Sequence, residues 1–465
     1  MDPLDAQPLS LVRRRLVMLC AVLGIVLAGL DGAIANIALP TIAHAMQCSD
    51  MLTVWIVNGY QVAVAVSLLP AAAFSEMLGL RRVYAFGLAL FTVASLACAL
   101  SGSIGWLIVG RVVQGLGGAC MAALSGALVR AIYPRSMLHS SYAIIALAVA
   151  ISAAVGPTLA ALVLAVAPWP WLFLINVPIG LIAVPLFLRV APHGAAFDAS
   201  SAPQDGGLFD WRGTLLNAGV FGAGVLGVGA LGQGNTALGL VELGVGGASS
   251  VAFYRQQRRR KTPMLPLDLL AIPLFSLSIL TSICAYTAQI LAYVALPFLF
   301  QTVMHQSTVM TGLLVTPWPV FVAFAAPLAG RLAARYPAAL LSSLGLATLA
   351  FGLLLLSIMP VNPTIPDVIW RMAICGIGFG FYQTPNNLTV MTSGPSTRSG
   401  AASGMLAVAR TTGWSLGSAL VALIFGLMGG SHGATACLEL GVAFAACGAC
   451  LSVTRRVVRQ SSSKA

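Results

Sequence analysis

The stretch LVMLCAVLGIVLAGLDGAIANIALP, Leu16 to Pro40, carries one charged side chain, Asp31, in an otherwise apolar or small run. A helix needs about 20 predominantly apolar residues to cross the hydrocarbon of a bilayer, so this segment reads as a spanning helix. Asp31 is the anomaly in it. A charge in lipid costs several kcal/mol unless it is paired, hydrated or protonated. Arg13-Arg14-Arg15 before the run and Ala33-Ile34-Ala35 within it imitate a cleaved signal peptide. The interruption at Asp31 and the further spans downstream favour a retained helix.

Thirteen more such runs follow. They start near Leu52, Val83, Ile104, Ser140, Pro170, Gly213, Ala237, Pro273, Met310, Ala338, Pro366, Ser399 and Ala434. The runs are unbroken rather than alternating, which excludes a β-barrel. Fourteen spans in 465 residues leave short loops. Composition agrees: 59% of residues are hydrophobic and 8% charged, against about 25% charged in soluble domains. A soluble enzyme, a disordered chain and a disulfide scaffold are excluded. The nine cysteines form no C-x-x-C pair and lack histidines at metal spacing, so no metal and no cofactor is expected.

Net charge is +12, from 24 Lys+Arg against 12 Asp+Glu. Placed on the spans, 21 basic residues fall after even-numbered helices or at the termini, and none falls in the odd-numbered turns. By the positive-inside rule both termini are cytoplasmic. The charge therefore reports topology, and no nucleic-acid partner is expected. Three basic residues remain inside spans: Arg111, Arg371 and Arg410.

The longest polar stretch, His193 to Asp210, follows six helices, and a second basic segment, Arg255 to Lys261, precedes the last six. The expected layout is an N-terminal six-helix bundle over residues 1–191, a linker with two inserted glycine-rich helices over 192–262, and a C-terminal six-helix bundle over 263–465. The halves echo each other: Arg111 and Arg371 each lie six or so residues into the fourth helix of a half, followed by small residues. Paired halves with a site between them are the plan of large secondary transporters.

Asp31 is read as the one acid deep in a span of either half. Arg111 is its expected partner, with Gln114 one turn further on the same face. Arg371 is expected to pair with Asp367 four residues earlier. Arg410 has no acid near it in sequence; it is a candidate either to bind backbone carbonyls at a broken helix or to face a water-filled cavity. Further cavity candidates are Asn58, Gln61, Gln114, Tyr286, Gln289, Tyr293, Gln301 and Asn386, with Trp318, Gln383 and Asn387 behind them. Each is also the kind of side chain that hydrogen-bonds between helices. Gly156-Pro157 in helix 5 marks a kink where small residues allow close helix contact.

These segments together resemble the major facilitator superfamily, and within it the fourteen-helix drug:proton antiporters. Leu30-Asp31-Gly32-Ala33-Ile34-Ala35-Asn36-Ile37-Ala38-Leu39-Pro40 is similar to that branch's L-D-x-x-I-x-N-x-A-L-P signature, and Arg111-Val112-Val113-Gln114-Gly115-Leu116-Gly117 to R-x-x-Q-G-x-G. Trp169 to Pro178 resembles the branch's W-x-W-x-F-x-x-N-x-P entry to helix 6. The gating-loop motif falls on Ala72 to Arg81, where Glu76 stands for Asp and Met77 and Leu80 replace basic residues, while Gly79, Arg81 and Arg82 fit. Gly156-Pro157 matches the core of the antiporter motif. The resemblance implies an all-α major facilitator fold and proton coupling through Asp31 and Arg111. It further implies gating by the loop at Glu76, Gly79, Arg81 and Arg82. The expected function is proton-driven export of drugs or other toxic small molecules across the bacterial inner membrane, by a monomer powered by the proton gradient. The alternative on the same fold is a carrier of one metabolite: a sugar, an organic acid or a siderophore. A scaffold that transports nothing would gain little from costly intramembrane charge.

Overall fold

The computed structural model describes residues 10–133, 137–192, 209–260, 264–360, 362–395 and 398–462. Most of the expected linker, and Arg135, Lys261 and Lys464, lie outside them. Among the described residues every regular element is helical.

We number the long helices in chain order. The first six are α1 (Leu11–Ala45), α2 (Asp50–Leu78), α3 (Leu80–Ala99), α4 (Ile104–Ile132), α5 (Leu138–Val166) and α6 (Trp171–Val190). Then come α7 (Trp211–Gly232) and α8 (Thr236–Arg258). The last six are α9 (Pro273–Val303), α10 (Thr308–Leu332), α11 (Ala338–Ser357), α12 (Ile365–Thr392), α13 (Ala401–Gly429) and α14 (His432–Arg455). Thirteen of them are long and apolar enough to cross a membrane. The other, α12, has the length at 28 residues but carries Asp367, Arg371 and the polar run Gln383-Thr384-Pro385-Asn386-Asn387.

Helix ends differ from the sequence reading where capping decides them. α1 begins at Leu11 because the Ser10 hydroxyl accepts from the Arg13 amide, a side-chain N-cap. Arg13, Arg14 and Arg15 are therefore in the first turns of the helix and not ahead of it. Between α2 and α3 the chain turns on Gly79 alone, at φ 92°, a conformation that a Cβ disfavours. The kink between α13 and α14 is at Gly429, the last residue of α13, at φ 75°.

The two ends of the bundle are built differently. Call the end where α1 starts the terminal end; fourteen crossings return the chain to it. At the opposite end one apolar core is shared by both halves, joining Ile34, Ile37 and Leu172 to Leu296, Phe298 and Trp318. At the terminal end there are two separate cores. One is wholly N-terminal, with Val17, Tyr84, Leu124 and Phe187. The other is wholly C-terminal, with Phe275, Ile279, Val390 and Met405. The halves are thus sealed together at the far end and part company at the terminal end. Polar clasps reinforce the seal: Gln301 donates to the Ile37 carbonyl at 3.0 Å, Thr41 donates to Gln301 at 3.3 Å, and the Thr158 and Thr316 hydroxyls meet at 2.7 Å. Gln301 sits in a π-helical turn, Leu299–Val303, a distortion common at functional positions. Expected in the cavity, it has both its amide groups engaged in this far-end clasp.

The inserted pair packs outside. Asn217 of α7 donates to the Val66 carbonyl of α2 at 2.9 Å, and Gly232 closes on Gly426 of α13.

Candidate functional site: a buried ion pair and a second, unpaired arginine

Glycine brings the helices of the N-terminal half close enough to bury a charge. A Cβ on Gly115 would lie 2.6 Å from the Tyr60 carbonyl oxygen, and one on Gly117 2.7 Å from the Phe91 nitrogen. α4 is therefore seated directly on the backbones of α2 and α3, as small residues permit in lipid. Arg111, one turn earlier, is drawn inside, and its Nε donates to the Ile56 carbonyl at 3.1 Å.

Arg111 Nη1 donates to Asp31 Oδ2 at 2.5 Å, and both side chains are 1% exposed. The same Nη1 reaches Gln114 Oε1 at 2.5 Å. Asp31 Oδ1 accepts from Gln114 Nε2 at 2.8 Å and from Asn176 Nδ2 at 3.1 Å. Gln114 Nε2 also donates to Ser95 Oγ at 2.8 Å, and that hydroxyl passes its own proton to the Phe91 carbonyl. The Arg111 guanidinium stacks 4.4 Å from the Tyr60 ring centroid and 5.6 Å from that of Phe173, within cation–π range. The carboxylate thus accepts three hydrogen bonds from α4 and α6, and the network reaches α3. A buried pair is tolerable only when its remaining donors and acceptors are filled this way.

The expected trio of Asp31, Arg111 and Gln114 is brought together. Ser95, Asn176 and the Phe173 ring were not singled out, although Phe173 and Asn176 lie in the helix 6 signature. Gly156 sits against the same segment: a Cβ there would lie 2.5 Å from Ala33 Cβ. The Pro157 carbonyl abuts Gly312 of α10. This motif therefore forms the seam where α1, α5 and α10 meet.

At the terminal end, Arg81 Nη2 donates to the Leu188 carbonyl at 2.5 Å and Arg13 Nε to the Val190 carbonyl at 2.7 Å. Both satisfy carbonyls at the α6 C-terminus, where the helix dipole favours cations. Glu76 and Arg82 are exposed, and Glu76 forms no ion pair among the described residues.

The C-terminal half does not repeat the ion pair. Its glycines repeat the packing: Gly376 sits on the Trp318 carbonyl as Gly115 sits on that of Tyr60, and Gly378 on Leu349 as Gly117 on Phe91. In that register the counterpart of Arg111 is Met372, fully buried, and the expected echo in Arg371 is off by one residue. Arg371 instead pairs with Asp367 at 3.2 Å, as its spacing predicted, and donates to the Leu355 carbonyl.

Two arginines in this half deserve separate accounts. Arg455, expected to mark the cytoplasmic tail, is 1% exposed. It donates to Ser278 Oγ at 2.9 Å, to Asn386 Oδ1 at 2.7 Å and to Ser452 Oγ. Asn386, expected in the cavity, is fully buried and held by Arg455 and by Ser282 Oγ at 2.8 Å. Arg410 lies 5.3 Å from the Trp414 ring, its Nε has no partner, and no carboxylate is within ion-pair distance among the described residues.

The other candidates fall around Arg410 or apart from it. Gln289 Oε1 accepts from Trp414 Nε1 at 3.3 Å, and the Tyr286 hydroxyl accepts from Gln383 at 3.1 Å. The Gln61 carbonyl accepts from Ser415 at 3.3 Å. Tyr293 packs edge-on to Trp318 at 5.0 Å. Asn58 is fully buried with both side-chain polar atoms unpartnered. The reading of Asp31 as the one intramembrane acid of the two halves is corrected by Glu439, seven residues into α14. Its side chain is exposed and lies outside the site.

A family model described as Major Facilitator Superfamily matches residues 21–418. The uncharacterized transporter YebQ of Escherichia coli K12 is 45% identical over 98% of this chain and 99% of its own. The multidrug resistance protein Stp of Mycobacterium tuberculosis is 32% identical over 87% of this chain and 75% of its own. Among solved structures, a bacterial homolog of the human lysosomal transporter Spinster, in an inward-facing and unoccupied conformation, superposes with a TM-score of 0.67 at 15% identity. The match covers 96% of this chain and 97% of that one, and at that identity it speaks for fold.

Proposed function

The chain belongs to the Major Facilitator Superfamily, and from that premise we propose that it exports toxic small molecules across the bacterial inner membrane in exchange for protons. The reading rests on one observation: Asp31 is buried in an ion pair with Arg111 that also binds α1 to α6. A transporter with no use for a proton would gain little from so costly a group. The similarity to Stp, a multidrug resistance protein, supports the drug-efflux side of the reading.

The mechanism follows from what α1 touches. Ionised, Asp31 ties α1 to α4 and α6. Protonated, it carries no charge for Arg111 to hold, and the tie loosens. Ile37 and Thr41, six and ten residues further along α1, carry the far-end clasp to Gln301. At about 1.5 Å per residue the clasp lies roughly 9–15 Å from the carboxylate on the same rod. Protonation thus biases the two arrangements of the halves, and alternating access follows from a shift in their populations. The basic residues at the terminal end orient it toward the cytoplasm, so this arrangement is inward-open, with Asp31 held in its ion pair. Protons enter at Asp31 from outside when the far end opens, as substrate leaves. Gly156 and Pro157 are the seam on which α5 moves against α1 and α10. The turn at Glu76, Gly79, Arg81 and Arg82 closes the cytoplasmic end in the other state. Asn58, Gln61, Tyr286, Gln289, Tyr293 and Arg410 face the substrate path, and a single copy suffices.

A susceptibility panel of cationic, neutral and anionic toxicants in an efflux-deficient host tests this. The chain is expected to raise resistance to at least one class, and Asp31→Asn, at equal membrane abundance, to abolish the gain. Resistance undiminished by Asp31→Asn would sink the assignment.

A further inference from the structure

We propose that the substrate held between the halves is a planar aromatic acid, with its anionic oxygen on Arg410 and its ring against Trp414. This rests on the transport reading above and names the substrate class for it.

Asp31 is neutralised by Arg111 at 2.5 Å. Asp367 and Asp268 are taken by Arg371 and Arg398 at 3.2 and 2.7 Å, and the Glu439 side chain is exposed on α14. Arg410 is left as a half-buried cation with an unpartnered Nε and no acid in reach among the described residues. Ser415, five residues along the same helix, donates to the Gln61 carbonyl of α2 at 3.3 Å, which sets this stretch of α13 against the N-terminal half. The wall between the halves is therefore net positive. A quaternary ammonium would meet a like charge there, whereas the planar guanidinium fork matches a carboxylate.

Gly413 and Gly417 seat α13 against α9: a Cβ on Gly413 would lie 2.8 Å from the Ile283 carbonyl oxygen, and one on Gly417 2.2 Å from Ile290 Cγ2. Ser415 faces the other way, to Gln61 of α2. At 100° per residue, Arg410 and Trp414 point between those two contacts. Trp414 is fixed there by its bond to Gln289 and by the Tyr286 ring at 5.8 Å, nearly perpendicular to it. The half-buried Trp414 ring, backed by the buried Tyr286 ring and lying beneath a guanidinium, offers an aromatic surface and a charge to a flat anion.

The test uses three ligands of one shape: 2-naphthoate, 2-naphthamide and 2-naphthyltrimethylammonium. Binding to the full chain in lipid nanodiscs is measured by equilibrium dialysis without a proton gradient. The anion is expected to bind at least about tenfold tighter than the amide, as a charge-assisted hydrogen bond predicts, and the cation most weakly. Arg410→Gln should bring anion and amide to near equality, and Arg410→Lys should keep part of the preference. The inference is overturned if the cation binds tightest, if the order survives Arg410→Gln, or if folded wild type binds none of the three. Because no gradient is present, failure here is separate from failure of proton coupling at Asp31.

Discussion

Replacing Arg111 by leucine isolates what the ion pair contributes. The substitution removes the donor to Asp31 Oδ2 and to Gln114 Oε1, and frees the Ile56 carbonyl. Asp31, 1% exposed, keeps two neutral donors, Gln114 and Asn176. Stranding one member of a buried pair costs about 3–5 kcal/mol. One consequence separates a stranded charge from simple lost packing. Adding Asp31→Asn should recover about 2–3 kcal/mol of the loss, because an amide needs no cation beside it, so the double variant is far from additive. Reversible unfolding in mixed micelles of the wild type, the two single variants and the double variant reads this. Strict additivity would refute the reasoning.

Two further outcomes follow from the packing. In a background without the native cysteines, Thr158→Cys with Thr316→Cys should form a disulfide, since the two hydroxyls are 2.7 Å apart, and should stop transport until reductant is added; full transport by the oxidised protein would contradict the far-end clasp. Asn386→Leu should cost about 1–3 kcal/mol by leaving the buried Arg455 short of an acceptor, and adding Arg455→Met should restore most of it, read by the same unfolding assay.

Charge in lipid was the legible part of this chain. Fourteen helices, and the meeting of Asp31 with Arg111 and Gln114, could be read because each violates or obeys the bilayer so plainly. Asn176 and Ser95 were not singled out, since neutral polar side chains between spans are common and carry no cost that marks them. Arg455 was read as a tail residue because spacing alone does not say how far α14 continues inside the bundle. Arg371 looked like an echo of Arg111 until the glycines supplied the register, one residue away. The part of Gln301 in the far-end clasp is not legible, because sequence does not reveal which end of the bundle is closed.

The measurement closest to the central claim is collapse of a preset pH gradient in inverted membrane vesicles, followed by acridine-orange fluorescence. The toxicant panel is added to vesicles holding either wild type or Asp31→Asn at equal abundance. The account predicts that at least one compound discharges the gradient through wild type and that none does so through Asp31→Asn. Equal discharge by both would contradict it.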